Sequence, residues 1–200
     1  MSLLDLGAEL RSGDLLLFSG ESLFSHSIRA ATNSRWSHCG MVVRDKSGIA
    51  QLWDVSKKTY GGTVGLYDLQ GRVAKYQGAI AYRALHKSDG TRGFDDALKE
   101  AFIEVHDRLL GRPYEMKKIE LLKAAFDPKI FSYELAINDP DLSSIFCGEL
   151  VAETYQHLGL LDRTIPANEY VPADFGDAKP LLLYKDYRLS AEVIIKEPLD

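Results

Sequence analysis

The 200-residue sequence predicts one α+β domain, with an antiparallel sheet and helices on one side of it. Short apolar runs separated by turn residues fill the first half of the chain, which is typical of strands. From Phe94 onward, apolar residues recur at three- and four-residue spacing, which is typical of an amphipathic helix. No repeat, low-complexity stretch or linker divides the chain, so a single domain over residues 1–200 is the simplest organisation.

The predicted strands are short apolar or β-branched runs bounded by turns. The second and third are joined by the polar segment Arg44–Gly48, which predicts a hairpin. One or two closing strands are expected near the C-terminal end. These runs are Leu15–Phe18, Cys39–Val43, Ile49–Val55, Ala79–Leu85 and the closing region Leu181–Ile195.

Two helices are predicted in the second half. The first has a periodic apolar face and is followed by Gly111 as a stop signal. The second begins at about Cys147 and ends at Gly159. The apolar face of the first is made of Phe94, Leu98, Ala101, Phe102, Val105 and Leu109, and that of the second of Leu150, Val151, Thr154 and Leu158.

The charge of the chain excludes some classes of function. The formal net charge is −5 and the sequence pI is about 5.6, without a basic cluster. A nucleic-acid surface or a polybasic membrane patch would need such a cluster. The first ten residues lack a basic region and a long apolar run. We therefore expect a soluble, cytoplasmic protein with no stable membrane anchor and no nucleic-acid partner.

Cys147 lies at the predicted first turn of a helix. The unpaired amides and the dipole there favour a thiolate and can hold an oxyanion. The other interpretation is a small buried core cysteine.

Cys39 follows His38 on a strand, so its side chain is expected on the opposite face, in the core. A zinc site made of His38, Cys39 and Cys147 would break that alternation, so we expect neither a metal nor another cofactor.

A thiolate nucleophile needs an imidazole partner. Among the five histidines, His38 opens a strand, where the sheet would hold it in place, and His26 stays open as an alternative. The others are expected at the surface or in turns. Asp54, on the strand paired with that of His38, would orient the imidazole, with Gln51 as the alternative.

Four segments together resemble the NlpC-type cell-wall peptidases. They are Gly13-Asp-Leu-Leu-Leu-Phe18, Ser37-His-Cys-Gly-Met-Val-Val43, Gly111-Arg-Pro-Tyr-Glu115 and Phe146-Cys-Gly-Glu-Leu-Val151. In those enzymes the first two segments follow the cysteine, whereas here they precede it. The order is similar to a circularly permuted branch typified by YiiX-like proteins and, more distantly, by relatives of lecithin:retinol acyltransferase. The resemblance runs from Gly13 to about Gly159.

The resemblance implies a papain-like α+β fold, in which an antiparallel barrel-like sheet packs against the helix that bears the nucleophile. It implies a cysteine hydrolase that cleaves an amide bond of a small peptide or a peptidoglycan fragment through a thioacyl-enzyme. The implied catalytic residues are Cys147 as nucleophile, His38 as base and Asp54 as the third member, with Tyr114, Trp36 and Gly148 as substrate contacts.

Two other functions stay open. One is an acyltransferase or thioesterase acting on lipid-like acyl groups, and the other is a non-catalytic binding module on the same fold. Residues 116–143 are expected to form a helical insertion, either as a lid or substrate-selecting wall or as packing without a role.

Overall fold

The computed structural model describes residues 7–56, 63–112 and 144–198. The predictions for Tyr114 and for the insertion at 116–143 lie outside these residues. In chain order the elements are β1 (Leu15–Ser19), α1 (Leu23–Thr32), β2 (His38–Arg44), β3 (Ala50–Ser56), β4 (Thr63–Asp68), α2 (Leu69–Lys75), β5 (Ala79–Arg83), β6 (Leu85–Lys87), α3 (Asp96–Leu109), α4 (Ser144–His157), β7 (Tyr187–Leu189) and β8 (Val193–Lys196), with two 3₁₀ turns at Ala167–Glu169 and Pro172–Phe175.

Six strands form one antiparallel sheet in the order β4-β3-β2-β1-β5-β8. Strands β6 and β7 pair separately. The antiparallel sheet and the hairpin of β2 and β3 are confirmed. The barrel-like closure is wrong, because the edge strands β4 and β8 do not pair with each other in the described parts of the chain.

Helices cover both faces of the sheet, which corrects the expectation of helices on one side. Strand β1 is buried at every position, because successive side chains enter two different cores. Leu17 packs in a main core with residues of α3 and α4, and Leu16 packs in a second core with Leu69 and Val73 of α2. Within the described residues, no helix is both long and apolar enough to cross a membrane.

Helix α4 is fixed to the sheet by buried polar contacts as well as by apolar packing. Trp53 Nε1 of β3 donates to Thr154 Oγ1 at 3.2 Å. The Tyr155 hydroxyl donates to the carbonyl of Gly13 at 2.7 Å. Both contacts satisfy groups that would be costly to bury alone. The position of the helix along the strands is therefore set by specific partners.

The Gly13-Asp14 turn explains one of the sequence motifs. Gly13 has φ 95°, and a Cβ there would lie 2.5 Å from the Phe94 ring and 2.6 Å from Leu85 Cδ2. The buried Asp14 carboxylate accepts hydrogen bonds from the amides of Arg11 at 2.9 Å and Leu85 at 2.8 Å. The turn thus joins the start of β1 to β6, and only glycine fits its first position.

We predict that Gly13→Ala destabilises the fold more than the matched variant Gly48→Ala. Gly48 also has a positive φ, 78°, but a Cβ there meets no atom within 4 Å. The left-handed backbone costs each variant about 1–2 kcal/mol, and overpacking adds about 1–3 kcal/mol at Gly13 alone. Urea denaturation measures the two free energies of unfolding, and equal losses would contradict the packing account.

Candidate active site

His38 and Asp54 form a buried pair at one end of strands β2 and β3. His38 Nε2 lies 2.9 Å from Asp54 Oδ2, and the residues are 1% and 4% exposed. The hairpin register pairs Met41 with Trp53. Continued by one residue, this register sets Gly40 opposite Asp54, so His38 lies diagonally from Asp54 on the same face. The hairpin therefore brings the two predicted residues together.

The Asp54 carboxylate is held by a second contact. Its Oδ1 accepts a hydrogen bond from the amide of Val55 at 2.7 Å, which leaves Oδ2 for the imidazole. Gln51, the alternative third residue, donates through Nε2 to Asp45 Oδ2 at 3.0 Å. The structure thus places Asp54, and not Gln51, beside His38.

Cys147 lies in the first turn of α4, against the start of β2. Its Sγ accepts a hydrogen bond from the backbone amide of Cys39 at 3.4 Å, and both cysteines are fully buried. As alternation predicts, the Cys39 side chain lies in the main core. The centroid of the His38 ring lies instead 5.4 Å from that of Phe18, which belongs to the second core. Sequence reasoning missed that Cys39 would adjoin Cys147, since strand alternation does not say which helix residue packs there.

The two reactive groups change each other's protonation. Burial alone would raise the pKa of the Cys147 thiol, but a hydrogen bond with Cys39 and the charge of His38 lower it to about 6. Burial alone would lower the pKa of His38, but the charges of Asp54 and Cys147 raise it to about 10. At neutral pH these directions favour a thiolate and an imidazolium side by side.

The contacts of His38 give its two ring nitrogens different partners. Because Nε2 is taken by Asp54, Nδ1 is the nitrogen left for Cys147. Nδ1 is buried and has no hydrogen-bond partner of normal geometry in the described ranges. The Cys147 thiol is nevertheless close enough to shift the pKa of the ring by charge and by hydrogen bonding. Cys147 also lies in the first turn of α4, where the positive end of the helix dipole favours negative charge.

Trp36 and Gly148, the other two predicted substrate contacts within the described residues, are both buried. Trp36 is 2% exposed, and its Nε1 donates to Glu192 Oε1 at 2.7 Å. A Cβ on Gly148 would lie 2.5 Å from the carbonyl oxygen of Tyr170 and 2.9 Å from Val171 Cα. The backbone that follows the first 3₁₀ turn therefore packs directly on the helix. Contact of Trp36, Gly148 or Tyr114 with substrate stays a prediction.

His26, the alternative base, has a different environment. Its side chain is 54% exposed, and Nδ1 lies 2.8 Å from Arg29 Nη2. Its partners are thus Arg29 of α1 and, at 3.8 Å, the exposed Glu21, in contrast to the buried partner of His38.

The fold and the site together define an α+β domain with a buried cluster of cysteine, histidine and aspartate. No family model matches the chain, and no curated protein matches it. Among solved structures, the chain is similar to the metalloprotein YiiX from Escherichia coli, with a TM-score of 0.51 and 18% identity. The match covers 92% of this chain and 97% of the YiiX chain. The two share a fold, in agreement with the YiiX-like resemblance of the sequence.

The name of YiiX raises the question of a metal in this chain. Within residues 7–56, 63–112 and 144–198, no three or more His, Cys, Asp or Glu side chains are arranged to hold a metal ion. His38, Asp54 and Cys147 instead contact one another or the backbone. The described residues therefore do not fit a metal centre.

Gly148→Ala should lower the free energy of unfolding by about 1–3 kcal/mol, because the added methyl group overlaps the backbone at Tyr170. In a helix without that neighbour, the same change would stabilise by roughly 0.5–1 kcal/mol. The sign of the change, measured by thermal or urea denaturation, therefore tests the contact. A stabilised variant would show that this backbone does not pack on the helix.

Asp54→Asn should lower the pKa of His38 from about 10 toward its ordinary value of 6.5, because the carboxylate charge is lost. NMR titration of the imidazole resonances measures this change, and the His38 signal is assigned by its absence in His38→Ala. Gln51→Asn, altered at the alternative position, should leave the titration of His38 unchanged. An equal shift in both variants would show that the Asp54 charge does not act on the ring.

Proposed function

We propose that the chain is a cysteine hydrolase that cleaves an amide bond of a small peptide or a cell-wall-derived substrate. Cys147 is the nucleophile, His38 the acid and base, and Asp54 the group that orients the imidazole. The observation that carries the proposal is the buried His38–Asp54 contact of 2.9 Å next to a thiol whose pKa is lowered to about 6. A lowered thiol pKa with a positioned imidazole is what nucleophilic catalysis by cysteine requires.

In the proposed reaction the Cys147 thiolate attacks the carbonyl carbon of the amide. The amides in the first turn of α4 stabilise the oxyanion of the tetrahedral intermediate. His38 donates a proton to the leaving nitrogen from Nδ1, because Nε2 is held by Asp54. The C–N bond breaks and leaves a thioacyl-enzyme. Water then attacks the thioester with His38 as base, which releases a carboxylate and restores the thiol.

The permuted papain-like fold belongs to this proposal. It is supported by the order of the elements, since β1 and β2 precede the helix that carries Cys147. It is also supported by the antiparallel packing of β1 on β2 beneath α4. Location in the cytoplasm stays a prediction from the N-terminal residues.

One observation favours the non-catalytic alternative. The Cys147 side chain is 0% exposed, so a substrate that reaches Sγ must displace protein atoms. A binding module that kept the fold would not need such access. The experiment must therefore show a covalent acyl group on Cys147 and not only a shifted pKa.

We expect p-nitrophenyl acetate to acetylate Cys147 with a burst of p-nitrophenolate. The burst rate should fall as the pH drops through about 6, where the thiolate gains a proton. His38→Ala should move this midpoint up toward that of an ordinary thiol, about 8.5, and slow acetylation by up to about 30-fold at neutral pH. Stopped-flow absorbance gives the rate, and peptide mass spectrometry locates the acetyl group.

His26→Ala is the matched control, because it removes an exposed histidine and should leave both rate and midpoint unchanged. Decay of the acetyl-enzyme in water supports a hydrolase. Decay only after addition of an amine or alcohol acceptor supports the acyltransferase alternative. A Cys147 that is not acetylated, in protein that is folded by circular dichroism, would leave the binding module as the better interpretation.

A further inference from the structure

The two cysteines of the chain meet at one point. The amide of Cys39 donates to Cys147 Sγ at 3.4 Å. Adding one N–Cα bond of about 1.5 Å places that sulfur within about 5 Å of Cys39 Cα. Both side chains lie in the main core and are fully buried. The two thiol groups also hydrogen-bond to each other. The sulfurs therefore already lie close enough that a disulfide, which joins Cα atoms about 4.4–6.8 Å apart, needs no large movement of β2 relative to α4.

In the proposed hydrolysis the Cys39 side chain forms no bond to the substrate and acts only through the hydrogen bond that lowers the pKa of Cys147. We propose that Cys147 is a site of reversible oxidation by hydrogen peroxide, with Cys39 as the cysteine that resolves it to a disulfide. The disulfide would keep the Cys147 sulfur in a form that a thiol can reduce. A sulfenic acid without a neighbouring thiol can instead oxidise further to an irreversible sulfinic acid.

The reaction has two balanced steps. The Cys147 thiolate attacks one peroxide oxygen, the O–O bond breaks, and a sulfenic acid and hydroxide form; sulfur loses two electrons and peroxide gains them. The Cys39 sulfur then attacks the Cys147 sulfur and displaces its hydroxyl group. That group leaves as water with the Cys39 proton, and the disulfide remains.

The surroundings of the two thiols differ in a way that sets the order of the steps. Burial, together with a hydrogen bond and the charge of Cys147, raises the pKa of the Cys39 thiol. The pKa of Cys147 is lowered, so this residue holds the thiolate that peroxide attacks. Peroxide is close to water in size and uncharged, so it can reach a buried sulfur with smaller openings than a peptide needs.

The test is peroxide treatment of the full chain, then alkylation of remaining thiols in denaturant, digestion and mass spectrometry. The wild type should yield a peptide pair linked through Cys39 and Cys147 that dithiothreitol separates. Cys39→Ala should lose the linked pair completely and accumulate sulfinic acid at Cys147. Sulfinic acid at Cys147 of the wild type, with no linked pair, would overturn the proposal.

Two further outcomes distinguish the proposal from other oxidation products and from a different order of steps. Linked peptides that persist in Cys39→Ala would overturn it, since the Cys147 sulfur would then be bonded to the backbone nitrogen of residue 39 as a sulfenamide. In Cys147→Ala, Cys39 should stay reduced at the same peroxide concentration; its oxidation there would contradict the order of the steps. Wild-type protein alone decides the main question if Cys39→Ala does not fold.

The consequence for activity rests on the proposed function, but formation of the disulfide does not. Acetylation by p-nitrophenyl acetate should disappear as the linked pair forms and return with dithiothreitol. A disulfide in a chain that is never acetylated would uphold the redox site and overturn the hydrolase. Acetylation that continues in the fully linked protein would contradict the proposed protection of Cys147.

Discussion

The docking of α4 on the sheet is the constraint on which the candidate site depends. Cys147 reaches the amide of Cys39 because the helix is held by Trp53 at Thr154 and by the Gly13 carbonyl at Tyr155. Each of these polar groups is buried, and an unmade buried hydrogen bond costs about 1–3 kcal/mol. A slide of the helix would break both contacts at once. The distance between the thiol and the strand is therefore a property of the whole core and not of a flexible loop.

Burial and neighbouring charges have opposite effects on the pKa values of Cys147 and His38. Removal from water disfavours the ionised form of Cys147 and of His38 when each is considered alone. The pKa of Cys147 moves the other way because of its hydrogen bond with Cys39 and the charge of His38. The pKa of His38 does so because of the charges of Asp54 and Cys147. Attraction between charges also increases in a medium of low polarity. The ionised forms of Cys147 and His38 are thus stabilised by the groups around them.

Local patterns in the sequence predicted β1, the hairpin of β2 and β3, the region of β5 and both long helices, but they missed α1 and the edge strand β4. They also placed Asp54 on the strand paired with that of His38, but left Gln51 open as the alternative. The hairpin register in the structure decides between them, because it fixes which side chains share a face. The barrel-like closure was wrong, since pairing between the two edge strands is a long-range property that periodicity does not contain. Helix α2 was missed, because seven residues with Leu69 and Val73 as the buried pair are too few for a periodic signal. The contact of Cys39 with Cys147 required the docking of α4.

The fold shared with YiiX does not by itself carry a chemistry, since one fold supports many functions. The chemistry has to follow from the site itself. Burial of the site affects both the charges of its groups and the access of a substrate to it. The same enclosure that strengthens the thiolate–imidazolium pair keeps the Cys147 side chain at 0% exposure. Small uncharged reagents should therefore react with this sulfur before larger substrates do. The buried Cys147 sulfur must then be protected from oxidation and must also be reached by a substrate. A disulfide with Cys39 would protect the sulfur, but it would not make the site more accessible to a substrate.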